Sequence, residues 1–282
     1  MKKIVFVLLA AAMMLSLAAC GSSSESDDES ASATKTLRVA MECGYAPYNW
    51  TQENDANGAV AIADSSDYAY GYDVMMAKKI AKDLGYDLEI VKLDWDSLIP
   101  ALQSGDVDAV IAGQSITAKR KEVVDFSDPY YYASIVTLVL NDSDYADATG
   151  ISDLAGATGT SQLGTIWYDN CLPQIKDANI LAAQETAPSM LVALESGTVD
   201  LVVTDIPTAL AAAAVYDDIK VLDFTDTDDN YKVSDEDINL GISVQKGNTE
   251  LLNAINGVLS TLTVEDYENM MKEAISVQPL SE

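Results

Sequence analysis

The order of hydrophobic and polar positions divides the chain into three stretches. Lys2 and Lys3 precede an apolar run from Ile4 to Ala19 that only Ser16 interrupts. A charged start and an apolar stretch shorter than the roughly 20 residues of a membrane span predict a signal peptide over residues 1–19. Residues 20–35 are mostly Ser, Asp, Glu and Ala. They bury too little apolar surface to fold, which predicts a flexible acidic linker. From Leu37 onward, short apolar runs alternate with amphipathic stretches. That alternation predicts an α/β fold with mostly parallel sheets.

Within the third stretch, Leu37, Val39 and Met41 alternate as a strand, and residues 42–50 form a loop dense in aromatics. The polar segment 51–70 reads as a surface excursion. An amphipathic helix is expected over 73–84, closed by Gly85, and a strand over 87–93. Asp96 is placed to cap the next helix. A short helix over 117–122 and strands over 134–140, 157–162 and 179–182 follow. Helices are expected from about Ile166 and over Ile206–Val215, with strands at Ile219–Leu222 and 239–244. An acidic loop fills 223–237, and helices over 249–262 and 264–275 close the chain.

One unit occurs twice. Ser97 to Gly113 and Ser189 to Asp205 lie 92 residues apart and agree without gaps at 8 of 17 positions, among them Gly105/Gly197 and Asp108/Asp200. Each copy reads as a helix ending in Ser-Gly, a tight turn and a short buried strand. The strands end near Gly113 and Asp205. Ligands of open α/β sheets bind beyond the carboxyl ends of the strands. The repeat therefore predicts two similar lobes that share one site. A chance match of two helix–strand units is the alternative.

Composition narrows the chemistry. The formal net charge is −29, and loss of Lys2 and Lys3 takes it to −31. Such a surface repels phosphate backbones, so nucleic-acid binding is excluded as an expectation. The chain has no histidine, which removes Ser-His-Asp and Cys-His catalysis and histidine zinc sites. Cys43 and Cys171 read as two free thiols, with a bridge between them as the alternative. Asp226, Asp228 and Asn230 copy the first spacings of a calcium loop, but Tyr231 stands where glycine is needed. This reads as a solvated acidic loop; no metal and no cofactor are expected.

Few groups remain to build a site. Arg120 follows a predicted strand end, where a guanidinium grips a carboxylate with two parallel bonds; a solvated helix residue is the alternative. Gly164-Thr165 before a helix offers free N–H groups to an anion, although many such turns bind nothing. Asp205 suits an ammonium group or caps the helix from Ile206. Tyr45 and Trp95 are candidate aromatic walls. Tyr48 is a third candidate wall, with core packing the favoured reading for it. Together these groups describe a zwitterionic ligand, its carboxylate on Arg120 and its ammonium on Asp205.

Several motifs carry a resemblance: Gly71-Tyr72-Asp73-Val74, Leu98-Ile99-Pro100-Ala101-Leu102, Gly105-Asp106-Val107-Asp108-Ala109, Ser115 to Arg120, and Val124 to Tyr131. Over about residues 37–275 the chain resembles the bacterial extracellular solute-binding proteins of family 3, which feed polar amino acids to ABC importers. The resemblance implies an α/β, two-lobed periplasmic-binding-protein-like fold of type II. Two hinge crossings, near 132–136 and 237–241, would join lobe 1 (36–133 plus 241–282) to lobe 2 (134–240), with the ligand cleft between them. It implies Arg120, Ser115 and the turn Gly164, Thr165, Ile166 for the α-carboxylate. It implies Asp205 and the Gly113 carbonyl for the α-ammonium, Tyr45 and Trp95 around the side chain, and Glu42 as an acidic side-chain contact. Leu17-Ala18-Ala19-Cys20 with Gly21 resembles the bacterial lipobox, so Cys20 would be lipidated.

Gln114 and Ile166 depart from the family pattern, as does the 51–70 insertion. The expected protein is a monomeric, extracytoplasmic lipoprotein anchored to the cell membrane. It would bind a polar amino acid, with a cationic or amide side chain favoured, and dock on an ABC permease and its ATPase. Two alternatives stand beside it: a dehydratase on the same scaffold, with Glu42 as general acid, and a surface adhesin.

Overall fold

The computed structural model describes residues 34–279. The expected signal peptide, Cys20 and nearly all of the linker lie outside the described residues.

Thr36–Met41 turns Leu37, Val39, Ala40 and Met41 into the core. It pairs in parallel with Asp87–Lys92 on one side and Ala109–Val110 on the other. Ser243–Gln245 then adds antiparallel to Ala109–Val110 and carries Val124–Phe126 on its far edge. The second sheet repeats this plan. Thr158–Thr160 pairs in parallel with Asn179–Ile180 and Leu201–Asp205, and Ile135–Leu140 runs antiparallel between Leu201–Asp205 and Ile219–Leu222. The result is two five-stranded sheets of matching order, the cores of two lobes. Both are mixed rather than mostly parallel, because the strand entering each lobe from the other runs against its neighbours.

The chain passes between the sheets at Tyr131–Tyr132 and Asn239–Leu240, which pair antiparallel with each other.

The 92-residue repeat survives in the register. Ala109 pairs with Val39 and Val110 with Ala40; Leu201 pairs with Gly159 and Val202 with Thr160. Gly105 and Gly197 both take the left-handed conformation, at φ 82° and 67°, as the end of each helix requires. The repeated aspartates do the same work twice. Asp108 Oδ2 accepts from the Arg38 N–H at 2.8 Å, and Asp200 Oδ2 accepts from the Thr158 N–H at 2.8 Å. Each aspartate thus ties the turn before its strand to the start of the neighbouring strand.

Other expectations change. Residues 42–70 are not a loop and an excursion but a four-stranded sheet of Gly44–Tyr45, Asn49–Gln52, Tyr68–Tyr70 and Val60–Ala61. Its strands, two to four residues long, are too short to show a period. Asp96 caps nothing: it lies inside the 3₁₀ turn Trp95–Ser97, and the helix Leu98–Ser104 has no side-chain cap bond. The single strand expected at 239–244 is two, Asn239–Leu240 and Ser243–Gln245. The helix expected from Ile166 is one π turn, Trp167–Cys171, followed by a 3₁₀ turn. Cys43 and Cys171 are buried and free. Among the described residues no helix is long and apolar enough to cross a membrane.

Replacing Asp108 or Asp200 with Ala removes one solvent-exposed bond to a backbone N–H, worth about 1 kcal/mol because water screens it. The two losses are expected to add, since the sites share no partner. Urea unfolding of both single variants and the double checks this; unchanged midpoints would make the repeated aspartate a coincidence.

Candidate functional site

Asp205 ends the Leu201–Asp205 strand and caps the helix Ile206–Val215, its Oδ1 accepting from the Thr208 N–H at 2.9 Å. Its other oxygen is left for the cleft. There Oδ2 accepts from the Tyr45 hydroxyl at 2.8 Å and the Tyr48 hydroxyl at 3.1 Å. Both tyrosines belong to the first lobe, so this carboxylate is shared between lobes. Asp205 is 1 % exposed. Burial pushes it above the usual carboxylate range, against the pull of its Thr208, Tyr45 and Tyr48 bonds.

The tyrosines are held by their own rings. Tyr45 stacks on Tyr48 with centroids 4.8 Å apart, and Trp167 of the second lobe lies 6.1 Å from Tyr45. Tyr48 meets Tyr72 and Tyr131 edge-on. Tyr48 is fully buried, as core residues are, yet its hydroxyl reaches the cleft. Gly113 sits against this wall at φ +60°, and a Cβ there would lie 2.7 Å from Tyr45 Cε1. Only glycine fits both constraints.

Arg120 stands at the other end. The short helix Ala118–Lys121 starts at Thr117, whose Oγ1 accepts from the Arg120 N–H at 3.3 Å. The guanidinium donates from Nη1 to the Ser115 carbonyl at 2.9 Å and from Nη2 to the Gly164 carbonyl at 3.1 Å. Its Cζ lies 5.4 Å from the Trp95 ring, a cation–π contact. Burial pulls Arg120 down to about 10, which leaves it a cation at neutral pH, and Asp169 opposes the shift. Both of these hydrogen-bond partners are neutral carbonyls. The Gly164 turn therefore meets Arg120 through a carbonyl. Thr165 Oγ1 donates to the Gln162 carbonyl at 2.7 Å, and Ile166 is buried. The single π turn that follows carries only a small dipole.

Glu42 makes a separate contact with the second lobe. It is buried, and Gln162 Nε2 of the second lobe donates to its two oxygens at 3.4 and 3.3 Å. Burial pushes Glu42 up to about 7, with the Gln162 bond and Lys92 pulling it down and Asp94 pushing it up.

The fold thus places Glu42, Tyr45, Trp95, Gly113, Ser115 and Arg120 on the first lobe and Gly164, Thr165, Ile166 and Asp205 on the second. Hydrogen bonds that cross between them include Tyr45 and Tyr48 to Asp205, Arg120 to Gly164, and Gln162 to Glu42. The sequence reading missed Gln162, Trp167 and the Tyr48 hydroxyl. Gln162 ends a predicted strand and has no periodic signal. Trp167 reads as an ordinary helical apolar residue. Among the described residues no cluster of acidic or cysteine side chains is arranged to hold a metal.

The sequence profile of the bacterial extracellular solute-binding proteins, family 3, matches residues 37–274. A probable histidine-binding protein of Campylobacter jejuni is 31% identical over 64% of this chain and 63% of its own length; the chain thus spans somewhat less than two thirds of that relative. The crystal structure of an amino acid ABC transporter substrate-binding protein from Streptococcus pneumoniae, bound to L-arginine, superposes with a TM-score of 0.73 at 30% identity, over 86% of this chain and 94% of that one. An ancestral amino acid-binding protein described as a precursor of cyclohexadienyl dehydratase superposes with a TM-score of 0.69 at 32% identity, over 85% and 95%. With two lobes of matching sheet order and a profile match along nearly the whole described chain, the protein belongs to the bacterial extracellular solute-binding proteins, family 3.

Proposed function

We propose that the chain is an extracytoplasmic lipoprotein that captures a polar L-amino acid between its lobes and delivers it to an ABC importer. The observation that carries this is the opposite sign of the two cleft ends. Asp205 offers a buried carboxylate ringed by hydroxyl donors, and Arg120 offers a guanidinium whose hydrogen bonds go to two neutral carbonyls. A zwitterion matches both ends. Arg120, Ser115 and the 164–166 turn take the α-carboxylate; Asp205 and the Gly113 carbonyl take the α-ammonium. Tyr45 and Trp95 flank the side chain, and Glu42 favours a cationic one such as that of L-arginine. Lobe 1 comprises residues 36–133 and 241–282, lobe 2 residues 134–240, and closure about the crossings buries the ligand. The protein acts as a monomer, tethered through Cys20 and the acidic linker.

A second reading has one observation behind it. A Glu42 carboxyl pushed up to about 7 holds a proton that a general acid needs, as in a dehydratase acting on a prephenate-like acid.

A ligand that binds only the folded chain raises its melting temperature by mass action. L-Arginine is expected to raise it most among the amino acids, and Arg120→Ala or Asp205→Asn to weaken binding at least tenfold. Binding untouched by both substitutions would sink the site assignment. Turnover of prephenate, lost in Glu42→Gln, would replace the receptor with the enzyme.

The pH dependence has a defined sign. The folded protein holds on Glu42 a proton that the unfolded chain, with the usual carboxyl value of 4.5, releases. That stability is fully present below about 4.5 and is lost as pH rises through about 7. The melting temperature of the parent relative to Glu42→Gln is expected to fall across this window. L-Arginine affinity is expected to rise over the same window in the parent, as Glu42 ionises, and to stay flat in Glu42→Gln. Equal slopes in both proteins would refute the contact.

Metabolic labelling with a radioactive fatty acid tests the anchor. Label is expected on the parent and not on Cys20→Ser, which is released to the medium or periplasm; an unlabelled parent overturns the lipid anchor.

A further inference from the structure

The Gly71-Tyr72-Asp73-Val74 motif contributes no cleft-facing group, yet Asp73 is a fully buried carboxylate. Its Oδ1 accepts from the Tyr130 hydroxyl at 2.7 Å, and its Oδ2 accepts from Asn49 Nδ2 at 2.7 Å. Each of those partners holds a backbone N–H at the cleft. The Gly113 N–H donates to the Tyr130 hydroxyl at 3.0 Å. The Cys43 N–H donates to Asn49 Oδ1 at 2.7 Å. Gly113 and Cys43 both stand at positive φ, +60° and +53°, a conformation that costs a non-glycine residue energy and needs support from its surroundings. Cys43 adjoins Glu42 and precedes Tyr45 by two residues. Asp73 also lies in the first turn of the helix Tyr72–Leu84, where the dipole favours negative charge, and its own N–H donates to the Tyr48 carbonyl at 2.8 Å.

We propose that Asp73 is a positioning residue for ligand binding, acting through Tyr130 on Gly113 and through Asn49 on Cys43. This rests on the reading that the Gly113 carbonyl and Glu42 contact the ligand. One carboxylate then fixes the spacing between the ammonium contact and the side-chain contact. Both of its oxygens receive donors, so only a group with two acceptors satisfies the pair. An asparagine in its place turns an N–H against either Tyr130 or Asn49 and breaks one arm.

The test uses the full chain and two readouts. Amide hydrogen exchange at Gly113 and Cys43 is followed by NMR without ligand, and L-arginine affinity is measured by calorimetry. Asp73→Asn is expected to speed exchange at one or both amides at least tenfold, with the Leu201–Asp205 strand amides unchanged, and to weaken L-arginine at least tenfold. Tyr130→Phe, which cuts one arm only, is expected to speed exchange at Gly113 and not at Cys43. It also serves if Asp73→Asn fails to fold. In the double variant the affinity losses are expected to be less than additive, as for two groups on one arm of a shared network. Unchanged exchange at both amides overturns the relay. Faster exchange with parental L-arginine affinity overturns the positioning role. A parent that does not bind L-arginine fails the functional reading, while exchange still decides the relay.

Discussion

A carboxylate sealed at the end of a strand, with no cation beside it among the described residues, governs the cleft. Removing such a group from water costs several kcal/mol unless donors replace the solvent. Asp205 finds one donor in the helix it caps and two in hydroxyls that belong to the other lobe. Bonds to a charged acceptor contribute about 1.5–3 kcal/mol each. Where the lobes meet, the two hydroxyls take the place of water on this carboxylate, so apposition of the lobes is coupled to the protonation and solvation of one side chain.

The aromatic residues give that meeting its rigidity. Trp167, Tyr45, Tyr48, Tyr72 and Tyr130 form a continuous series of ring contacts from the second lobe, across the cleft, into the first. Aromatic pairs contribute about 0.5–1.5 kcal/mol each beyond the area they bury. Tyr131, on a crossing strand, meets both Tyr48 and Tyr72, so the series is anchored where the chain changes lobes. Arg120 stands apart from it, against Trp95 and two carbonyls, which leaves its charge uncompensated by its bonded partners. The cleft therefore carries negative charge behind its tyrosines and positive charge at Arg120.

Much of this was legible in the sequence because it follows from local rules. The repeated Ser-Gly-x-Val-Asp shows twice because the helix end, the turn and the aspartate bond are each satisfied within one helix–strand unit and its neighbour strand. Arg120 and Asp205 stand out because strand ends are where such sheets bind. The sheet over residues 42–70 was illegible: its short strands show no period, and Gly44, Asn49 and Gly71 look like loop residues until their partners are known. The Tyr48 ring is core, but burial of a ring says nothing about where its hydroxyl points. Gln162 and Asp73 matter through partners 120 and 57 residues away, a separation that no local pattern encodes.

The order in which the strands leave the ribosome has a consequence for how the first sheet is completed. Val124–Phe126 joins that sheet only through Ser243–Gln245, which sits between it and Ala109–Val110. A nascent chain that ends before Ser243 therefore holds a sheet with its inner neighbour missing and one strand unpaired, while every strand of the second sheet is already present. The second lobe is free to fold as an uninterrupted segment; the first must wait for the last forty residues. Long-range closure of this kind is slow. The two lobes, alike in sheet order, are therefore unlike in when their sheets can close.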